Sequence, residues 1–108
     1  MKASELRIGN WFDHHGEYKQ VTPNTILEVW EAERIWVKPI LLTEDILLKC
    51  EFICNIRFEQ KNYYLPRLSI YFNNDKFQHD GYDREIKYLH QLQNLYFALT
   101  GEELNIEL

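Results

Sequence analysis

Apolar residues near the end of the sequence recur at helical spacing, and no other feature restricts the fold as strongly. Ile86, Tyr88, Leu89, Leu92, Leu95, Tyr96, Phe97 and Leu99, wound at about 100° per residue, cover an arc of roughly 200°. Gln93 interrupts that arc, while Lys87, His90, Gln91, Asn94 and Ala98 share the polar side. A helix lying on one sheet face needs an apolar arc of only about 100°. The spacing therefore predicts a helix from an N-cap at Asp83 to Leu99 that touches two neighbours: a sheet, and either another helix or a second copy of the chain. Gly101 follows the last apolar turn, where a left-handed cap favours glycine, so Thr100-Gly101 reads as a helix stop.

A chain of 108 residues fits one domain, 1–108, and leaves no room for a second. Within it, 1–40 reads as a β-meander and 41–108 as an α-β-β-α unit. Aromatic residues make up 15% of the chain, and large rings help a small domain bury enough area to offset its chain entropy.

The N-terminal part reads as strand, turn, strand. Gly9-Asn10 marks a bend, Asp13–Gly16 a turn, and Glu17–Val21 alternates in strand fashion before Pro23-Asn24 ends it. Thr25–Ala32 and Arg34–Ile40 are two further β-branched and aromatic runs; helix and strand compete in the first. Four short strands with regular turn signals predict a meander or a small SH3-like barrel. Thr43 then caps a short helix, with Glu44 and Asp45 in its first turn and Ile46, Leu47 and Cys50 facing inward. Cys54, Ile56 and Phe58 alternate with polar residues as a half-exposed strand, Lys61-Asn62 reads as its hairpin turn, and Pro66 marks an edge or break. Leu68, Ile70 and Phe72 alternate again, whereas 73–83 is polar and turn-rich and reads as the least ordered stretch. The closing Asn105–Leu108 adds a short edge strand. The fold class is α+β.

Chemistry-bearing clusters are sparse. Asp13, His14 and His15 adjoin, and His79 sits near Asp80 and Asp83. His14, His15 and His79 are the residues a metal would draw on, but adjacent side chains seldom converge on one ion, and a helical i, i+4 histidine pair is absent. The bland reading is a solvated hairpin tip and a loop. Neither a nucleophile elbow nor a glycine-rich phosphate loop occurs in the sequence. No catalytic residue, metal or cofactor is assigned. Cys50 and Cys54 give no disulfide framework, and both have a structural reading as small hydrophobes.

Net charge is −5, and no run concentrates the Lys/Arg surface that phosphate binding needs. That weighs against nucleic acid and fits solubility or a basic protein partner. The start MKASELRIGNWF lacks an apolar signal core, and no stretch reaches the length of a membrane span; the expectation is a cytoplasmic protein without membrane contact. Trp11, Trp30, Trp36, Tyr63, Tyr71 and Tyr82 fall on strand faces where some would remain exposed. Trp and Tyr are frequent at interaction hot spots, so Trp11, Trp30, Trp36 and Tyr71 are candidate partner-binding residues, joined by Leu95 and Tyr96 on the wide helix face.

Three blocks, KASELRIGN at Lys2–Asn10, PILLTEDILLKCEF at Pro39–Phe52 and HQLQNLYFALTGEEL at His90–Leu104, resemble a family of small uncharacterised bacterial and prophage-encoded proteins. Members often carry glycine where this chain has Glu51, so the turn after the first helix departs from the pattern. The resemblance implies no cofactor or catalytic residue, and it favours an accessory or host-interacting role. The leading expectation is a non-enzymatic protein-interaction module acting on a protein partner or on itself as a homodimer. A nucleic-acid-binding small barrel is the alternative, and a metal-dependent enzyme the third.

Overall fold

The computed structural model describes residues 6–32, 38–57, 60–73, 75–79 and 85–108, with the side chains of 28–32 and 57 outside that description. The described residues form a mixed α+β fold with a two-stranded and a four-stranded antiparallel sheet. Strands β1 (Trp11–His14) and β2 (Glu17–Gln20) make the first hairpin, with Trp11 opposite Gln20 and His14 opposite Glu17. Its turn places His15 at φ 50° and Gly16 at φ 90°, the two positive values that match a tight hairpin to strand twist. Asp13 Oδ1 accepts from the Gly16 amide at 2.8 Å. At the other end, Gly9 N donates to Val21 O and Val21 N to Asn10 O, closing the predicted Gly9-Asn10 bend. Lys38 returns beside β1 and exchanges both backbone bonds with Asp13.

The four-strand meander is corrected here. Pro23–Ala32 is a helix, α1, so the competition between helix and strand at Thr25–Ala32 falls to helix and the run does not supply one of the four strands. Entry chemistry decides it. Thr22 and Thr25 exchange backbone-to-hydroxyl bonds at 3.2 and 3.3 Å, and Pro23 occupies the first helical position, where its missing N–H costs nothing. Neither sheet closes on itself, so no SH3-like barrel forms among the described residues; the expected strand at 34–37 lies outside them.

Helix α2 (Glu44–Lys49) starts as the sequence predicts, with Thr43 Oγ1 accepting from Ile46 N at 3.3 Å. Strands β3 (Ile53–Arg57), β4 (Gln60–Leu65), β5 (Leu68–Asn73) and β6 (Lys76–His79) follow in sheet order β3-β4-β5-β6. Arg57 lies opposite Gln60, and Lys61-Asn62, expected as the hairpin turn, belong to β4. Pro66-Arg67 connects Leu65 to its opposite residue, Leu68, with Arg67 at φ 75°. β6 places a strand, Lys76–His79, inside the stretch expected to be least ordered: Phe77 pairs with Phe72 across the sheet, and apolar cross-strand contact outweighs polar composition.

One sheet face carries Tyr63, Leu68 and Ile70 into the core, where they meet Ile40, Leu42, Leu47, Cys50, Phe52, Leu89 and Leu92. Burying side chains of this size contributes about 1.5–3 kcal/mol each. The opposite face presents a row of uncharged polar groups, Asn55, Asn62, Tyr71 and Gln78, at successive register positions.

The last helix, α3, spans Leu89–Thr100. It starts later than the expected Asp83, which lies outside the described residues. Ile86 and Tyr88 precede it in extended backbone: Ile86 N donates to Phe77 O at 2.7 Å, and Leu89 N to Ile40 O at 2.8 Å. Gln91 Oε1 accepts from Lys87 and Tyr88 amides at the helix start. Gly101 at φ 72° ends it, as the Thr-Gly signal predicts, and donates to Phe97 O. The shorter helix narrows the buried stripe to Leu89, His90, Leu92 and Gln93. Phe97 and Leu99, expected inside, are exposed, and His90, expected on the polar side, is buried. The tail adds no strand among the described residues; Leu104 is buried and Glu107 N bonds Lys49 O. No helix among the described residues is long and apolar enough to cross a membrane.

Candidate functional site

Two polar clusters and one open edge emerge from this framework. The first cluster joins the chain's two ends. Gln93, enclosed at the heart of α3, accepts from Trp11 N at 2.8 Å through Oε1 and donates through Nε2 to Gly9 O at 3.2 Å. Arg7 donates to Asn94 Oδ1, to Gln93 O and to the Glu103 carboxylate, and its guanidinium lies 4.3 Å from the Phe97 ring centre. Asn10, also buried, receives the Arg7 amide and donates to Asn94. Every bond satisfies a group of the fold itself, and the cluster acts as a structural clasp.

The second cluster sits where α2 begins above β4. Tyr63 is buried and its hydroxyl donates to Glu44 Oε2 at 2.5 Å; Lys61 Nζ reaches the same oxygen at 3.1 Å. The Tyr63 hydroxyl, then the Lys61 ammonium, hold the Glu44 carboxyl below its usual range. Burial, then the Glu44 carboxylate, push the Tyr63 phenol up. The phenol is thus fixed as a donor and the carboxylate as an acceptor. Next to them a cavity of about 310 Å³ opens by the β5–β6 turn, its apolar part from Leu42, Tyr63, Phe72 and Phe77 and its polar part from Thr43, Glu44 and Asp75. A wider cavity of about 440 Å³ between the first hairpin and α2 is lined by Asp13, Tyr18, Asp45 and Lys49 among others, groups of mixed sign.

The open edge is β3. Among the described residues it pairs with β4 alone, whereas at the other edge of the sheet β6 is covered by Glu85 and Ile86. Ile53 is 57% exposed and Ile56 66% exposed, and Cys54 between them is exposed as well. The exposure of Cys54 departs from the reading of both cysteines as structural small hydrophobes. Cys50 fits it: buried, with its thiol pushed up to about 12 by burial, it packs as a small hydrophobe.

The sequence-derived candidates scatter. His14 and His15 sit at the first hairpin, rings 4.7 Å apart and edge to face; His79 lies in β6, opposite Ile70. Among the described residues no three His, Cys, Asp or Glu side chains gather as a metal site would need. Trp11 is half-buried against the core, as are Leu95 and Tyr96; the wide helix face is therefore used within the chain. Tyr71 is half-buried on the polar sheet face. Tyr63, expected on an exposed face, is buried. Trp30 belongs to α1 with its side chain outside the description, and Trp36, Tyr82, Asp80 and Asp83 lie outside the described residues. Sequence reasoning passed over Ile53, Phe77 and the pairing of Glu44 with Tyr63. The one available signal was the isolated Ile53–Ile56 pair around a strand with no charge before Arg57, an unguarded edge.

Comparison of the chain with family models, with curated proteins and with solved structures finds no match.

Proposed function

We propose that the protein is a non-enzymatic interaction module whose contact element is β3, and that its first partner is a second copy of itself. The observation that carries this reading is that β3, among the described residues, pairs on one side alone and carries the exposed Ile53 and Ile56. Unpaired strand edges recruit further strands, with main-chain bonds supplying affinity and alternate side chains supplying register. An antiparallel copy centred on Asn55 overlaps all five residues of β3 and sets Cys54 opposite Ile56, continuing the apolar side of the sheet.

Five paired residues bury less than the ~1,200–2,000 Å² of a stable interface. The association is therefore weak, with a dissociation constant in the micromolar range or above, and suits an accessory protein that exchanges partners. The resemblance to prophage-encoded proteins and the two unpaired thiols support an accessory role in the cytoplasm.

Register gives the sharpest test. Ile56→Cys, mildly oxidised at high concentration, is expected to give an inter-chain disulfide between Cys54 of one copy and position 56 of the other. Exposed Ile8→Cys serves as a control for random pairing. Equal dimer yields from both variants would remove the β3 register.

A further inference from the structure

We propose that the cavity beside Glu44 receives the cationic end of a lysine or arginine side chain from a basic protein segment. Its apolar part is mostly aromatic, three rings beside Leu42. Phe72 and Phe77 are half-buried cross-strand partners with ring centres 4.9 Å apart at 48°, and Tyr63 meets Phe77 edge-on at 6.0 Å. Ring faces attract a cation through their quadrupole, more strongly where water is partly excluded. Glu44 and Asp75 supply carboxylates on the polar part.

Charge narrows the occupant further. Lys61 bonds Glu44, so the two carboxylates and this ammonium leave one net negative charge at the opening. An anion is repelled there, and a neutral apolar group would strip water from the carboxylates without replacing its hydrogen bonds. A cation on a short aliphatic stem satisfies both parts of the lining. At about 310 Å³ the space is at the small end of ligand pockets, room for one side chain rather than a large cofactor. The chain's net charge of −5 favours approach of a basic segment from a distance.

The site is separate from the β3 edge and can be tested with that edge blocked. In the Ile53→Lys protein, backbone amide signals are followed by NMR while the peptides acetyl-Gly-Lys-Gly-amide, acetyl-Gly-Arg-Gly-amide and acetyl-Gly-norleucine-Gly-amide are added. Saturable shifts at Phe72, Asp75 and Phe77 are expected with the two cationic peptides and not with norleucine. Asp75→Asn should weaken binding by roughly two- to fivefold, the size of one partly exposed charge contact. Lys61→Met should strengthen it by a similar factor, because it removes the cation that competes for Glu44; a pocket with only a packing role would not respond in that direction. Phe77→Leu keeps an apolar partner for Phe72 while removing a ring, and should weaken binding of the cationic peptides. The proposal is overturned by an equal response to norleucine, by the absence of saturable shifts, or by affinities unchanged in both Asp75→Asn and Lys61→Met.

Discussion

Glu51 follows α2 with φ at 67°, where an L side chain costs about 1–2 kcal/mol that glycine does not incur. Its amide donates to Leu48 O and the next amide, Phe52, to Leu47 O, so the conformation is fixed by the end of the helix rather than by the Glu51 side chain. Glu51→Gly is expected to raise stability by up to about 1 kcal/mol, the relief of strain being partly offset by the greater freedom of glycine in the unfolded chain. A higher urea midpoint at unchanged slope would show it; a lower midpoint would mean that the side chain stabilises the turn. Gln93 works in the opposite sense. Gln93→Ala removes the partner of Trp11 N and one of the two donors to Gly9 O, which keeps Gln20 Nε2, and should cost about 2 kcal/mol, measured by the same unfolding curve. An unchanged midpoint would mean that water replaces the amide. The Tyr63–Glu44 bond has a pH limit on each side. The lowered carboxyl contributes stability that is present above its ordinary 4.5 and is lost as pH falls through the folded value. The raised phenol contributes stability that is full below its ordinary 10.0 and is lost as pH rises towards the folded value. Tyr63→Phe should therefore flatten the pH dependence of stability at both ends; a profile parallel to the unaltered protein's would assign those slopes to other groups.

Among the elements, α1 shows how entry chemistry can override composition. If the Thr22–Thr25 exchange holds the helix, Thr22→Ala should cost about 1 kcal/mol and speed amide exchange within α1 while leaving α3 protected. Uniform acceleration across the chain would place α1 in the global unfolding unit instead. The sequence made α2 and the end of α3 legible because their determinants are local: a threonine cap, early carboxylates, a glycine stop. It misplaced the start of α3 because Ile86 and Tyr88 fit the helical period yet are held extended by Phe77 and the 40–42 segment. It hid β6 because Lys76, Gln78 and His79 look like loop until Phe72 is placed opposite Phe77. The burial of Gln93 was equally out of reach, since its partners are more than 80 positions away. The open edge of β3 was half legible: the alternation gave the strand, but only sheet order shows which strand lies at the margin.

At the scale of the whole molecule, the clasp between Arg7, Asn10, Gln93, Asn94 and Glu103 ties the N-terminal hairpin to α3, and the middle segment is held by bonds from Leu42 to Lys87 and from Leu89 to Ile40. These bonds tie the described parts of the chain into one framework and, among the described residues, leave β3 paired on one side alone. On the proposed reading, β3 is presented by a framework already ordered by these bonds, so that pairing would cost little ordering entropy. The cavity by Asp75 would add charge selection to a surface whose main-chain bonds are indifferent to sequence. Sedimentation velocity across a concentration range from micromolar to millimolar, on the unaltered protein and on Ile53→Lys, tests the central claim most directly. The account predicts a mass that rises towards a dimer with concentration in the unaltered protein and remains that of one chain in Ile53→Lys, whose edge charge blocks strand addition. A single-chain mass at every concentration in the unaltered protein, or the same rise in both proteins, would contradict it.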